Sequence, residues 1–119
     1  RAAGTGHLVF ATLHTESGKD AIGRLEDLGV SSKELEMVLK GVMSQRLIRK
    51  KCKNCKRSNE CIVCGGTGYR GRFAVGDVFF FNNGSNFQDF NDIESMKSQV
   101  LIKINKGETD FDEFKRKFN

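Results

Sequence analysis

A chain of 119 residues has the size of one domain, and its 38% hydrophobic content, ten Phe and 29% charged residues exclude the disordered and fibrous classes. No stretch approaches the about 20 apolar residues that a bilayer crossing needs, and no charged-then-apolar leader stands at the start, so the expectation is a soluble protein not marked for export. The net charge of +5 comes mainly from one run holding Arg46, Arg49, Lys50, Lys51, Lys53, Lys56 and Arg57, which can meet phosphate, acidic lipid or thiolate charge or stand as a solvated surface.

The chain opens on Arg1 inside an apolar, glycine-bearing pattern rather than on Met, which implies residues upstream. His7-Leu8-Val9-Phe10-Ala11-Thr12-Leu13-His14 is a nearly continuous apolar run between Gly6 and Thr15-Glu16-Ser17-Gly18, the pattern of a parallel-sheet strand buried on both faces. His14 would then stand at the carboxyl end of that strand, where ligand crevices of α/β sheets form. Helical spacing of Ala21, Ile22, Leu25 and Leu28 predicts a first helix, with Ser17 capping its start and Gly29 closing its end. Ser31 and Glu34 form a capping box, and Leu35, Val38, Leu39, Val42 and Met43 predict a second helix over about 32–44.

Strands are expected over 45–51 and, with more β-branched and aromatic residues, over 73–81. After the turn-rich Asn82-Asn83-Gly84-Ser85, helical spacing resumes from about Phe87 to Ile104. Thr109 with Asp112 is expected to cap a last helix ending near Phe118. No repeat with a period of about 20 to 50 residues is present, which excludes a solenoid.

Between the two expected strands lie Cys52-x-x-Cys55 and Cys61-x-x-Cys64, two knuckles five residues apart. Four sulfurs brought together in this way suit tetrahedral Zn²⁺, and four protein ligands leave no open position for water, so the ion would be structural. Lys50, Lys51, Lys53 and Lys56 would favour the thiolates, and Gly65-Gly66 would let the backbone turn around sulfur. The competing readings are two disulfides, which need an oxidising compartment, and four free thiols.

Arg1-Ala2-Ala3-Gly4-Thr5-Gly6-His7-Leu8-Val9-Phe10-Ala11-Thr12-Leu13-His14-Thr15 resembles the histidine box of the type II secretion and type IV pilus assembly ATPases. Gln45-Arg46-Leu47-Ile48-Arg49, the tetracysteine and Gly65-Gly66-Thr67-Gly68-Tyr69-Arg70-Gly71-Arg72 resemble the segments that follow that box. The resemblance covers about residues 1–81; the short tail from Asn82 is similar to the competence ATPases of DNA uptake, and the prolines usual in the family's knuckles are absent.

This resemblance implies an α/β fold: the carboxy-terminal portion of a RecA-like P-loop NTPase core with an inserted tetracysteine zinc subdomain and a small helical tail. Residues 1–50 would belong to the core, 51–72 would be the zinc subdomain with Cys52, Cys55, Cys61 and Cys64 as ligands, and 73–119 the last core strand and helical segment. It further implies a cytoplasmic homo-hexamer at the inner face of the membrane, hydrolysis of ATP with Mg²⁺, and an inner-membrane platform protein as partner, with no direct contact to nucleic acid. No G-x-x-x-x-G-K-[ST] occurs in these residues, so this portion alone is expected to be inactive.

By the same resemblance His14 would sense the γ-phosphate, with Thr15 beside it, and His7 would stand at the other end of the strand, roughly 20 Å away. Arg24 and Arg46 could position neighbouring subunits. Two other classes compete: a zinc ribbon that binds nucleic acid through the basic run, which lacks interleaved aromatics, and a DnaJ-like cysteine-rich domain, which needs four C-x-x-C-x-G-x-G units where this chain has one.

Overall fold

The computed structural model describes residues 1–55, 59–82 and 91–119. A 3-10 turn at Ala2–Thr5 precedes α1 (Gly18–Asp27), α2 (Ser32–Val38), β1 (Gly41–Lys51), β2 (Tyr69–Phe80), α3 (Asp92–Asn105) and α4 (Phe111–Phe118). The two strands pair in one two-stranded sheet. The chain divides into two units, one of residues 1–44 and 77–92, the other of 45–76 and 93–119, and each strand contributes residues to both.

In the first unit the sequence signals for helix ends hold. The Ser17 side chain accepts from the Asp20 N–H, Ser31 and Glu34 complete their capping box, and Gly29 follows α1 with φ 94°. Ile22, Leu35 and Phe81 form the core of this unit, with Leu25, Val30, Leu39, Val42 and Phe79 packed on it. The buried Asp92 carboxylate accepts the Gly18 N–H at 2.7 Å, satisfying one of the donors that every helix start leaves over.

Two expectations for this unit fail. Residues 7–14 form no strand, and Leu8 and Phe10 are 84% and 89% exposed; a strand exists only where a neighbouring strand pairs with it, and the sheet of the described residues pairs β1 with β2. The second helix stops at Val38 instead of running to residue 44. A glycine in a helix interior costs about 1 kcal/mol, whereas Gly41 in a strand lies beside Phe79 and Phe80, with room for a Cβ only about 3.0 Å from the Phe79 carbonyl oxygen. Leu39 and Val42 still reach the core, one from the linker and one from β1.

The second unit packs Ile48 of β1 and Val75 of β2 against Met96 and Val100 of α3, with Phe73, Ile93, Ile104, Phe114 and Phe118 around them. Both strands run longer than expected, and the pairing contains a bulge. The Phe81 N–H donates to Lys40 O at one end and the Cys52 N–H to Gly68 O at the other, so the β2 side is one residue longer; Gly71, with φ 78°, supplies the left-handed residue that such a bulge uses.

Exposed strand edges invite unwanted pairing, and here side chains and one backbone carbonyl occupy part of them. The Gln99 amide accepts from the Gly76 N–H at 3.2 Å and donates to Gly76 O at 2.7 Å, standing in for a neighbouring peptide of β2. On β1, Lys51 N–H donates to Glu108 O, Thr109 Oγ1 donates to Arg49 O, and Arg49 N–H donates to Glu113 Oε1 at 2.9 Å. Thr109 is therefore not the helix cap that its sequence position suggested; Asp110 caps α4 by accepting from the Glu113 N–H. The helix start expected near Phe87 and the turn residues Asn83, Gly84 and Ser85 lie outside the described residues, as do Lys56 and Arg57 of the basic run.

Glu113 is fully buried and takes both Arg49, whose Nη2 is at 2.8 Å, and Arg116, whose Nη2 is at 2.6 Å. Burial alone would raise this carboxyl, but the Arg116 and Arg49 donors bring it down to about 2. Removing one member of a fully buried ion pair costs about 3–5 kcal/mol; the two arginines keep 36% and 44% exposure, so Glu113→Gln is expected to lower stability by about 2–3 kcal/mol in urea unfolding. Because the folded pKa lies below the ordinary 4.5, the contribution of Glu113 is whole above about 4.5 and is lost as pH falls toward about 2. In the Gln variant the unfolding midpoint should fall less steeply with pH across that window; an equal slope in both proteins would contradict the assignment.

Candidate metal centre

The cysteines occupy the connection between β1 and β2. Cys52 follows the last residue of β1, and its N–H bond to Gly68 O, 2.8 Å, joins the two ends of the loop. Within the second knuckle the Gly66 N–H donates to Cys61 O and Thr67 Oγ1 donates to Cys64 O at 2.8 Å. Gly66 has φ 84°, and a Cβ there would stand 2.7 Å from the Asn59 carbonyl oxygen, so both conformation and space require glycine. The Arg70 guanidinium donates to Val63 O at 2.8 Å, tying β2 back onto the same knuckle.

These contacts bring the four sulfurs within 4.8 Å of one another, the one such group of potential ligands among the described residues. Cys52 Sγ lies 4.0 Å from Cys61 Sγ, and Cys55 Sγ 3.5 Å from Cys64 Sγ. A disulfide needs about 2.05 Å, and all four cysteines are free. A tetrahedral ion with bonds of about 2.3 Å to sulfur sets its ligands about 3.8 Å apart. The observed pairs bracket that spacing, and a four-sulfur donor set fits a soft or borderline cation such as zinc.

The electrostatics favour the metal-binding form. Burial raises the Cys64 thiol, but the Gly68 N–H at 3.3 Å, the sulfurs of Cys55 and Cys61 and the Gly66 N–H outweigh it and bring the thiol down to about 6. At the loop's root Tyr69 is pushed the other way, up to about 12, by burial and by its 2.6 Å hydrogen bond to Asp110. Arg49 lies over the Tyr69 ring at 4.1 Å, so the hairpin root and the Glu113 cluster share a residue.

The histidines are not part of this centre. His7 Nδ1 lies 3.0 Å from Thr5 Oγ1 just after the 3-10 turn, and His14 is exposed. Without the strand, the separation of about 20 Å between them no longer follows from an extended geometry. Thr15 Oγ1 donates to Ser17 O at 3.0 Å, in the approach to α1. Arg46 is engaged within its own unit, donating to Lys117 O and lying over the Phe118 ring at 4.8 Å, while Arg24 is exposed. Glu113, Gln99 and Asp110 carried no signal in the sequence, since Arg49, Gly76 and Tyr69, which they engage, lie 64, 23 and 41 residues away.

The profile of the family described as "Type II/IV secretion system protein" matches residues 1–115. The chain is 39% identical over 118 residues to the protein transport protein HofB homolog of Haemophilus influenzae, covering 98% of this chain and 24% of that protein. It is 38% identical over 103 residues to the type IV pilus assembly ATPase PilB of Thermus thermophilus, covering 65% of this chain and 12% of that one. Identity is 36% over 105 residues to the type II secretion system protein E of Klebsiella pneumoniae, covering 70% and 21%. The chain thus spans a quarter or less of the length of these relatives.

Protein purified without added metal should carry about one equivalent of a divalent ion per chain by mass spectrometric metal analysis. Cys61→Ser should lose most of it and become sensitive to proteolysis between β1 and β2; full metal content in that variant would contradict a four-sulfur centre.

Proposed function

The chain belongs to the type II/IV secretion system protein family, and from that membership we propose that it is the carboxy-terminal part of an ATPase that drives assembly of a pilus or pseudopilus. The family match over 1–115 carries this reading, and the four converging sulfurs are consistent with it. No G-x-x-x-x-G-K-[ST] lies in these residues, so the phosphate-binding loop belongs to the remainder of the protein. Residues 1–50 complete a RecA-like core, residues 51–72 form a zinc subdomain, and residues 73–119 end the core and add the helical segment.

On this reading the exposed run from His7 to His14 is an inner strand once the remainder of the core supplies its neighbours, which accounts for apolar side chains as open as Leu8 and Phe10. That pairing places His14, with Thr15 beside it, at the strand's carboxyl end, where its ring can donate to a γ-phosphate oxygen as charge builds there; His7 serves at the opposite end. Zinc held by Cys52, Cys55, Cys61 and Cys64 is structural, supplying a fixed crosslink in place of a hydrophobic core. ATP with Mg²⁺ is the fuel, a homo-hexamer the working form, and an inner-membrane platform protein the recipient of the motion, on the cytoplasmic face. The competence machinery of DNA uptake is one system such a motor would serve.

In the full-length protein, His14→Ala should lower ATP turnover about a hundredfold with metal content and thermal stability unchanged. Turnover equal to the parent would remove the phosphate role. Residues 1–119 alone should show no ATP hydrolysis; activity free of contaminants would overturn the placement of the phosphate-binding loop elsewhere.

A further inference from the structure

Ile62 is 96% exposed, the most open large apolar side chain among the described residues. It sits between Cys61 and Val63 in the second knuckle, whose backbone is held by the Gly66 and Thr67 hydrogen bonds and by the sulfur cluster. A β-branched side chain on so fixed a support cannot fold back under its own unit, and it can enter an apolar phase without the entropy cost of ordering a loop.

The surroundings are cationic. Arg70 lies against the same knuckle through its bond to Val63 O. Lys53, in the knuckle that shares the sulfur cluster, and Arg72 and Lys50, on the strands beneath, are exposed. Glu60 is the acidic residue of this knuckle and offsets part of that charge. By sequence, the unit carrying the knuckles holds 15 Lys and Arg against 6 Asp and Glu, whereas the other holds 5 against 9. The excess charge of the whole chain therefore belongs to the unit that presents Ile62.

We propose that the tip of the second knuckle, Ile62 together with Arg70 bonded to the same knuckle and the exposed Lys53 and Arg72 of the adjoining knuckle and strand, is a contact site for an anionic lipid bilayer. The cations meet phosphate headgroups while the isoleucine enters the headgroup boundary, the combination by which shallow amphipathic surfaces bind acidic membranes. A nucleic acid would use the same cations but gains nothing from an aliphatic tip, since stacking on bases needs a flat ring. The setting at the cytoplasmic leaflet rests on the functional reading above; the contact itself rests on Ile62 and the charges around it.

Flotation of the full-length protein with vesicles of phosphatidylcholine, with and without phosphatidylglycerol, tests this. Binding should require phosphatidylglycerol, weaken with salt, and fall about tenfold in apparent affinity in Ile62→Ser and in the double variant Lys53→Gln, Arg72→Gln. Metal content of each variant shows whether the knuckle is intact, and ATP turnover without lipid reports separately on the functional reading. Binding by Ile62→Ser equal to the parent, equal binding to neutral vesicles, or tighter binding to a short DNA duplex than to anionic vesicles would overturn the proposal.

Discussion

Four sulfur atoms within 4.8 Å of one another are the constraint around which the connection between β1 and β2 is arranged. The described residues of the loop that carries them add nothing to either hydrophobic cluster; they are held by backbone hydrogen bonds, left-handed glycines and thiol contacts. A loop of that kind is costly to order on its own, because each fixed residue gives up about 1–2 kcal/mol of backbone entropy. A metal ion bound by four thiolates repays that cost at one point, which is why such sites fold the segment that holds them.

The root of the loop is reinforced from the helical tail. Arg49, three residues before Cys52, donates its backbone N–H and its guanidinium to Glu113 and stacks on Tyr69, the first residue of β2. The tail thereby covers the edge of β1 up to the residue next to the first ligand, where Lys51 bonds Glu108. A two-stranded hairpin is marginal by itself, so α3 and α4, packed on Ile48 and Val75, give it the support that further strands would otherwise supply.

Local chemistry was legible in the sequence and distant pairing was not. The caps at Ser17 and Ser31 and the glycine after α1 rest on contacts within a few residues, and the structure places them as expected; strands do flank the cysteines, longer than their sequence pattern suggests, and the four sulfurs lie close together. The run 7–14 forms no strand among the described residues because its apolar pattern describes a strand's surroundings, and those neighbours are not among them. The helix expected over 32–44 ends at Val38, ahead of Gly41, a poor helix-interior residue that stands in β1 beside Phe79 and Phe80. Glu113 could not be found in advance; a carboxylate one residue before Phe114 reads as solvent-facing until Arg49 is seen to reach it across the chain.

X-ray absorption at the metal edge of the full-length protein tests the central assignment most directly. The account requires a single shell of four sulfurs at about 2.3 Å with no open position. A shell containing nitrogen or oxygen in place of any sulfur would contradict it, since that ion would then be held by residues other than Cys52, Cys55, Cys61 and Cys64.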